Sequence, residues 1–400
     1  MPVEGSVAPS LSLSLKPREE SRLLGGHPWI FSNELAAVPK TIPPGTLAVL
    51  RGSAGALLGM GFFNPRSLIA FRLLTREPVR VDAAFFRERL QRCADYRRRH
   101  LGEVRSCRLV FGESDGLPGL VVDRYEDVLV VQVLAAGMEL QLDAIGEALN
   151  EVFHPQGILL KNDHPTRALE GLTSYTRVLS GEVPDRVMIE EGGLKFLVAL
   201  AGGQKTGFYF DQRENRALLQ TYCKGRNVLD LHCYVGAFSL RAAQAGAARV
   251  IGVDSSEAAL ELARENAKLN GLERCVFEAG DAEEFLAGFS DTRRELRPDL
   301  LLLDPPSLVP SKKVLAKALR AYERMNSNAL RCLGRGGLLA TSTCSHHVSR
   351  ELFVSMLRGA ASKAQKSSRL IELRGPGKDH PVLLSMPETE YLNFALVEVG

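Results

Sequence analysis

The run NVLDLHCYVGAFSLRAAQAGAARVIGVD, Asn227 to Asp254, constrains the fold more than any other stretch of the chain. Val228, Leu229 and Leu231 form a short apolar run that the turn His232 to Ala237 closes. Small residues at helical spacing fill Phe238 to Ala247, and Val250, Ile251 and Val253 make a second apolar run. The pattern reads strand, turn, helix, strand, which is one βαβ unit of an open parallel sheet. In such sheets ligands sit beyond the carboxyl ends of the strands, so Asp230, the turn through Gly236, and Asp254 are expected to converge on one crevice.

Those residue types narrow the ligand. Asp254, at the end of the second strand, suits a ribose diol, because a carboxylate accepts from both hydroxyls. Gly236 is expected to let backbone approach the ligand with no Cβ in the way. The turn lacks the full G-x-G-x-x-G fingerprint, so phosphate cradling is not supported and a plain dinucleotide loses ground. A charged, phosphate-free ligand such as S-adenosylmethionine fits better.

Downstream segments continue the alternation. The helix SSEAALELARENAKLNGL has a serine cap at Ser255 or Ser256 and stops at Asn270-Gly271. A third strand, Cys275 to Phe277, leads to Asp281, placed to accept from an adenine amino group. DLLLLDPP, Asp299 to Pro306, is a fourth strand ending in Asp304, and its two prolines fix the backbone directly after the acid. GLLATSTCS, Gly337 to Ser345, is a fifth. In a doubly wound order its tip lies beside the fourth, so Cys344 and Asp304 are expected to face one substrate.

The chain ahead of this unit has a different texture. Residues 11 to 76 alternate short strand-like runs with turn signals, a small β-rich barrel or sheet. Lys16, Arg18, Arg22, Trp29, Phe62, Phe63 and Arg66 interleave cations with rings that could stack on RNA bases. From Val81 the pattern is helical, with Phe86, Leu90, Cys93 or Ala94, and Leu101 on one face. Eight arginines stand against three acids over Phe86 to Arg108, an imbalance that suits phosphates and makes this helix a candidate second RNA surface. FGESDGLPGLVVDRYEDVLVVQVL, a helical LQLDAIGEALNEVF and GILLKND then make a compact α+β segment in which Gly116, Pro118 and Gly119 are turn formers. The expected boundaries are 8–78, 79–190 and 191–400, the middle one falling near Pro184 and Gly192-Gly193.

Net charge is only +3, so basic patches rather than overall charge must decide any nucleic-acid role. Seven cysteines with no C-x-x-C pair suggest neither a disulfide framework nor a zinc ribbon, and no apolar run approaches a membrane span. No metal and no membrane partner are expected, and the expected compartment is the cytoplasm.

The segments RLLGGHPWIFSNEL and GMGFFNPRSLIAFRLL resemble the PUA domain of RNA-modifying enzymes. GFYFDQRENR (Gly207 to Arg216), DLHCYVGAF, DPPSL, TCS and a late KDHP resemble the large-subunit ribosomal RNA cytosine-5 methyltransferases that carry an N-terminal PUA domain, and the resemblance spans essentially the whole chain. It implies an α/β fold class: a C-terminal class I, Rossmann-like methyltransferase domain behind a PUA-like domain and an α+β middle domain. It also implies S-adenosylmethionine as donor, ribosomal RNA as partner, a homodimer as a candidate assembly, and Cys344 as nucleophile. The donor-binding set would comprise Asp230, Tyr234, Gly236, Asp254, Ser255, Asp281 and Asp304, with Phe210, Gln212 and Arg213 from the GFYFDQRENR segment. His232-Cys233 and Ala237 depart from the family pattern in the turn.

Cytosine C5 is a poor nucleophile until something adds at C6, and a thiolate can do so. An ordinary thiol, of pKa near 8.5, is only about 3% ionised at pH 7, so the site must lower that value or supply a base. Asp304, protonated or sharing a proton with cytosine N3, would neutralise charge developing on the ring. Water, Asp304 and His380 are the candidates for removing the C5 proton. Two other readings are methylation of an exocyclic base nitrogen, disfavoured because Ser307-Leu308 rather than an aromatic follows the prolines, and a non-catalytic RNA-binding protein with a vestigial donor pocket.

Overall fold

The four leucines Leu300–Leu303 are all buried, as expected of a central parallel strand covered on both faces. They lie in a seven-stranded sheet built from β1 (Asn227–Leu231), β2 (Arg249–Asp254), β3 (Cys275–Ala279), β4 (Leu300–Leu303), β5 (Leu338–Thr343), β6 (Ser368–Arg374) and β7 (Asn393–Val399). The computed structural model describes residues 9, 11–203, 206–288, 297–309 and 312–400. The strand order is β3-β2-β1-β4-β5-β7-β6, parallel throughout except that β7 runs antiparallel to both β5 and β6. From β1 the chain winds outward to β3 and returns to pair β4 on the other side of β1, so the switch point lies between β1 and β4. Leu229 sits opposite both Ile251 and Leu301, and Leu301 opposite Leu339, which fixes which strand tips are neighbours.

The helices of this unit are α1 (Arg213–Cys223), α2 (Ala237–Gln244), α3 (Glu257–Leu269), α4 (Ala282–Gly288), α5 (Leu315–Cys332) and α6 (Arg350–Ala364). Ser256 rather than Ser255 caps α3, its Oγ accepting from Ala259 N at 3.3 Å. Tyr322, Met325 and Ala329 of α5 and Phe353 and Leu357 of α6 pack on Leu301, Leu303 and Leu339 in one core. Glu191, from the preceding hairpin, is buried in an arginine cluster: Arg216 donates to it at 2.7 and 2.8 Å and Arg213 at 3.2 Å. Burial alone would raise the Glu191 carboxyl, but the Arg216 and Arg213 guanidiniums more than offset that and hold it below its ordinary value.

The chain divides into two compact units, and the β-rich and α+β segments belong together in the first, which spans residues 1–187, 199–208 and 378–389. Each carries its own five-stranded sheet. Glu113 joins them, accepting from Trp29 Nε1 at 2.7 Å and from Arg72 at 2.9 Å, while Arg72 also reaches Glu170. Two expectations for RNA contact change here. Phe62 and Phe63 are at most 3% exposed and pack in the cores, because strand alternation and a close helix leave neither ring a face for a base. The arginine-rich helix Ala83–Leu101 and its flank are largely neutralised within the unit. Arg87 pairs with Glu151, Arg92 with Glu88, Arg98 with Asp95, Arg105 with Asp127, and Arg108 with Asp123. Arg97 lies on the buried face, paired with Asp115 at 2.6 Å, so a count along the helix overstated its surface charge.

His380, a candidate base, is buried in this first unit, its Nδ1 2.8 Å from Asp379 Oδ1 and its ring 5.2 Å from that of Phe111. Asp379 in turn accepts from Arg108 N at 3.0 Å, so within this unit the KDHP segment works as a staple. Among the described residues no helix is long and apolar enough to cross a membrane, and no cluster of potential ligands could hold a metal.

Candidate active site

The turn between β1 and α2 sets the floor of the crevice. His232, Tyr234 and Gly236 all adopt positive φ, 63°, 51° and 79°, a run that side chains other than glycine rarely tolerate. The contortion is held by Asp254: its Oδ2 accepts from Tyr234 N and its Oδ1 from Ser256 N, each at 2.9 Å. Both oxygens keep a further lone pair, the capacity a ribose diol needs. Gly236 has a packing reason of its own. A Cβ there would meet the Phe277 ring at 3.0 Å and Ala263 Cβ at 3.2 Å, so the left-handed turn and close packing each call for a glycine at this position.

Asp230, near the end of β1, is fully enclosed. Its Oδ2 accepts from Ser239 Oγ at 2.7 Å, while Oδ1 is buried with no hydrogen-bond partner among the described residues. Burial pushes the carboxyl up to about 7 against the Ser239 bond, and the neighbouring charges of Asp304 and Asp254 push the same way. His232 has a buried Nε2 with no hydrogen-bond partner among the described residues, and burial holds its imidazole below the ordinary value against the pull of Asp254, Asp281 and Glu283. Four acids thus act on one small region. Asp281 is exposed and caps α4, its Oδ1 accepting from Glu283 N at 2.8 Å and Glu284 N at 3.0 Å. Ser255 is exposed at the start of the following turn.

Across the switch point, Asp304 stands one residue beyond β4. Ser342 Oγ and Gln212 Nε2, the latter at 3.2 Å, both donate to its Oδ1. Leu303 pairs with Thr341, so the end of β5 passes this acid and places Cys344 just beyond the strand. Tyr209 reports on both groups. Its hydroxyl is held well above the ordinary value, by burial first and then by Tyr234, Asp304, Asp211 and Cys344. Its ring meets that of Tyr234 edge-on at 5.4 Å. From the GFYFDQRENR segment, Gln212 therefore comes to Asp304, whereas Phe210 is buried and Arg213 goes to Glu191.

All seven cysteines remain thiols. Burial pushes Cys93, Cys223 and Cys275 up to about 12, Cys332 to about 11, and Cys233 well above its ordinary value. Cys344 is half-buried at the crevice. Sequence reading missed Tyr209, Ser342 and Tyr322. The first lies inside a quoted motif and the second one residue before another, so their neighbourhood was visible; Tyr322 is mid-helix and carries no local signal.

The region fits S-adenosylmethionine: a buried carboxylate oxygen and imidazole nitrogen without partners among the described residues, a second carboxylate with spare acceptor capacity, and a third just beyond the next strand. Comparison with known proteins agrees. Residues 13–76 match a PUA-like domain and residues 117–365 an S-adenosylmethionine-dependent methyltransferase domain. The chain is 36% identical to ribosomal RNA large subunit methyltransferase I of Pseudoalteromonas atlantica, over 98% of this chain and 100% of that one. It is 37% identical to the protein of the same name from Shewanella denitrificans, with the same coverage. The fold matches a protein described as a SAM-dependent methyltransferase from Streptococcus mutans with TM-score 0.84 at 23% identity, covering 97% of this chain and 100% of that one. A methyltransferase complexed with SAH matches with TM-score 0.83 at 22% identity and the same coverage. At such identities the likeness concerns the fold alone. The chain belongs to the ribosomal RNA large subunit methyltransferase I family of S-adenosylmethionine-dependent methyltransferases, and S-adenosylmethionine is its methyl donor.

Proposed function

We propose that the protein methylates C5 of a cytosine in large-subunit ribosomal RNA through a covalent bond from Cys344 to C6 of the base. The observation that carries this reading is the pairing of β4 with β5, which brings Asp304 and the half-buried Cys344 to adjacent strand tips beside Tyr209. The ribosomal RNA substrate follows the names of the full-length relatives.

The bound donor supplies an electrophilic methyl on a positively charged sulfur. Cys344, as thiolate, adds to C6, and the electron pair released from the C5–C6 bond gives C5 enamine character. Asp304, whose Oδ1 accepts from Ser342 and Gln212, faces N3 in this reading and supplies or shares the proton that neutralises the ring. After C5 takes the methyl and the spent donor is left as a neutral thioether, loss of the C5 proton restores the C5–C6 double bond and expels the cysteine as thiolate, and N3 releases the proton it received. In this reading Asp304 is the base that accepts the C5 proton.

Ribosomal RNA carrying 5-fluorocytosine tests the reading. Fluorine does not leave as a proton does, so wild type and Cys233→Ala should accumulate a protein-RNA adduct of higher mass, and Cys344→Ala should not. An adduct that survives Cys344→Ala and disappears in Cys233→Ala would overturn the assignment.

A further inference from the structure

Arg320, Arg324, Ser327, Asn328 and Arg331 lie on one stripe of α5, and Lys363 of α6 faces them, so that the six line an open cleft of about 270 Å³. At 1.5 Å per residue the stripe is about 16 Å long. Two carboxylates reach it, Glu283 on Arg324 at 2.9 Å and Glu323 on Lys363 at 3.2 Å, against four cations. Arg331 is engaged with Asn328 Oδ1 at 2.9 Å and the Lys363 carbonyl at 2.8 Å. Arg320 forms no ion pair among the described residues, in contrast to the neutralised arginines of the helix Ala83–Leu101.

A second observation points to a ligand. Ser327 is 2% exposed and lines the cleft, yet its Oγ has no hydrogen-bond partner among the described residues. A helical serine ordinarily returns its hydroxyl to the carbonyl one turn back, and a buried hydroxyl without a partner is disfavoured. A donor hydroxyl set among excess cations suits a phosphate oxygen.

We propose that this cleft binds the phosphodiester backbone of the RNA substrate, with Arg320, Arg324 and Lys363 facing phosphates and Ser327 donating to one of them. The site rests on the ribosomal RNA reading above and adds where the strand is held. Its place in the fold favours RNA over a free anion: α5 follows the Asp304 segment, and Tyr322, two residues from Arg320, reaches with its hydroxyl to 3.1 Å from Ser345, the neighbour of Cys344. A backbone laid along α5 therefore leads towards the crevice that receives the base.

The test uses the full chain and a labelled transcript of large-subunit ribosomal RNA, with binding measured across a salt series. Each phosphate contact contributes a slope of roughly 0.7 to 0.9 in log affinity against log salt. Arg320→Glu with Lys363→Glu should weaken binding at least tenfold at low salt and flatten the slope by about 1.4 to 1.8. Donor affinity by calorimetry should be unchanged, and Arg98→Glu should behave as wild type. If the reversal pair perturbs folding, Arg320→Gln with Lys363→Gln carries the comparison. An unchanged slope in that neutral pair, with wild type binding RNA normally, overturns the cleft and leaves the substrate reading intact. A wild type that binds no transcript at any salt brings both down. Displacement of RNA by millimolar inorganic phosphate at matched ionic strength would reassign the cleft to a free anion.

Discussion

The Tyr322 hydroxyl lies 3.1 Å from Ser345 Oγ and accepts from Leu308 N, also at 3.1 Å. Ser307 Oγ lies 2.9 Å from the same Ser345 oxygen. One buried phenol therefore ties the segment after Asp304 to the residue after Cys344. Both loops lie past the ends of their strands, where the sheet ladder no longer sets their separation. The spacing of acid and thiol thus depends on a helix that carries neither.

Tyr322→Phe keeps the ring in the core and removes only the oxygen. Leaving Leu308 N without this acceptor, and Ser345 with one hydroxyl partner, Ser307, in place of two, should cost about 1 to 3 kcal/mol of stability. Single-turnover methylation of RNA should slow by roughly tenfold or more, equivalent to about 1.4 kcal/mol in the barrier, with donor affinity unchanged. A rate within twofold of wild type would mean that strand pairing alone sets the geometry.

Asp230 predicts a pH dependence. Its folded value of about 7 exceeds the ordinary 3.8, because burial disfavours the charged form. Between those values the folded chain holds a proton that the unfolded chain has lost, so this group's stabilising contribution is full below about 4, declines as pH rises towards 7, and is level above it. Denaturation at pH 5 and pH 8 should show the decline in wild type and a flatter profile in Asp230→Asn. A bound cationic donor should favour the ionised form, so its affinity should rise with pH through 7. Equal affinities at pH 6 and 8 would place the orphaned Oδ1 away from the donor's charge.

Asp254→Ala should weaken donor binding by about 1.5 to 3 kcal/mol, since it removes a charged acceptor from the ribose and releases the Tyr234 turn. Asp254→Asn keeps one acceptor oxygen and should fall between. Calorimetry with the donor reads both, and an alanine variant within twofold of wild type rules out the ribose contact.

Arg97 and Arg98 are adjacent yet should behave oppositely. The Arg97 and Asp115 side chains are 3% and 7% exposed, so Arg97→Ala strands a buried carboxylate and should cost about 3 to 5 kcal/mol. Arg98→Glu, at the surface, should change stability by no more than about 0.5 kcal/mol. Urea midpoints at constant slope decide the first comparison, and equal midpoints for the two variants would contradict it.

By itself the sequence left open the antiparallel pair β6 and β7 and which of Ser255 and Ser256 caps α3, but it determined the five parallel strands between Asn227 and Ser345, the turn His232 to Ala237, the start and stop of α3, and the two tips ending in Asp304 and Cys344. These are readable because they are local: period, caps and proline positions depend on neighbours along the chain. Tertiary structure alone decided which of those groups act together and which charges remain. Arg97 is neutralised by Asp115, eighteen residues on, and its backbone partner Asp379 is 282 residues away, so no window along the helix could discount it. The rings of Phe62 and Phe63 turned inward for the same reason, their partners lying on other elements. Ser342 meets Asp304, and Tyr322 meets Ser345, only because β4 pairs with β5 and α5 packs over them. Long-range pairing chooses partners that short-range patterns cannot name, and the catalytic spacing proposed here is made of such pairs.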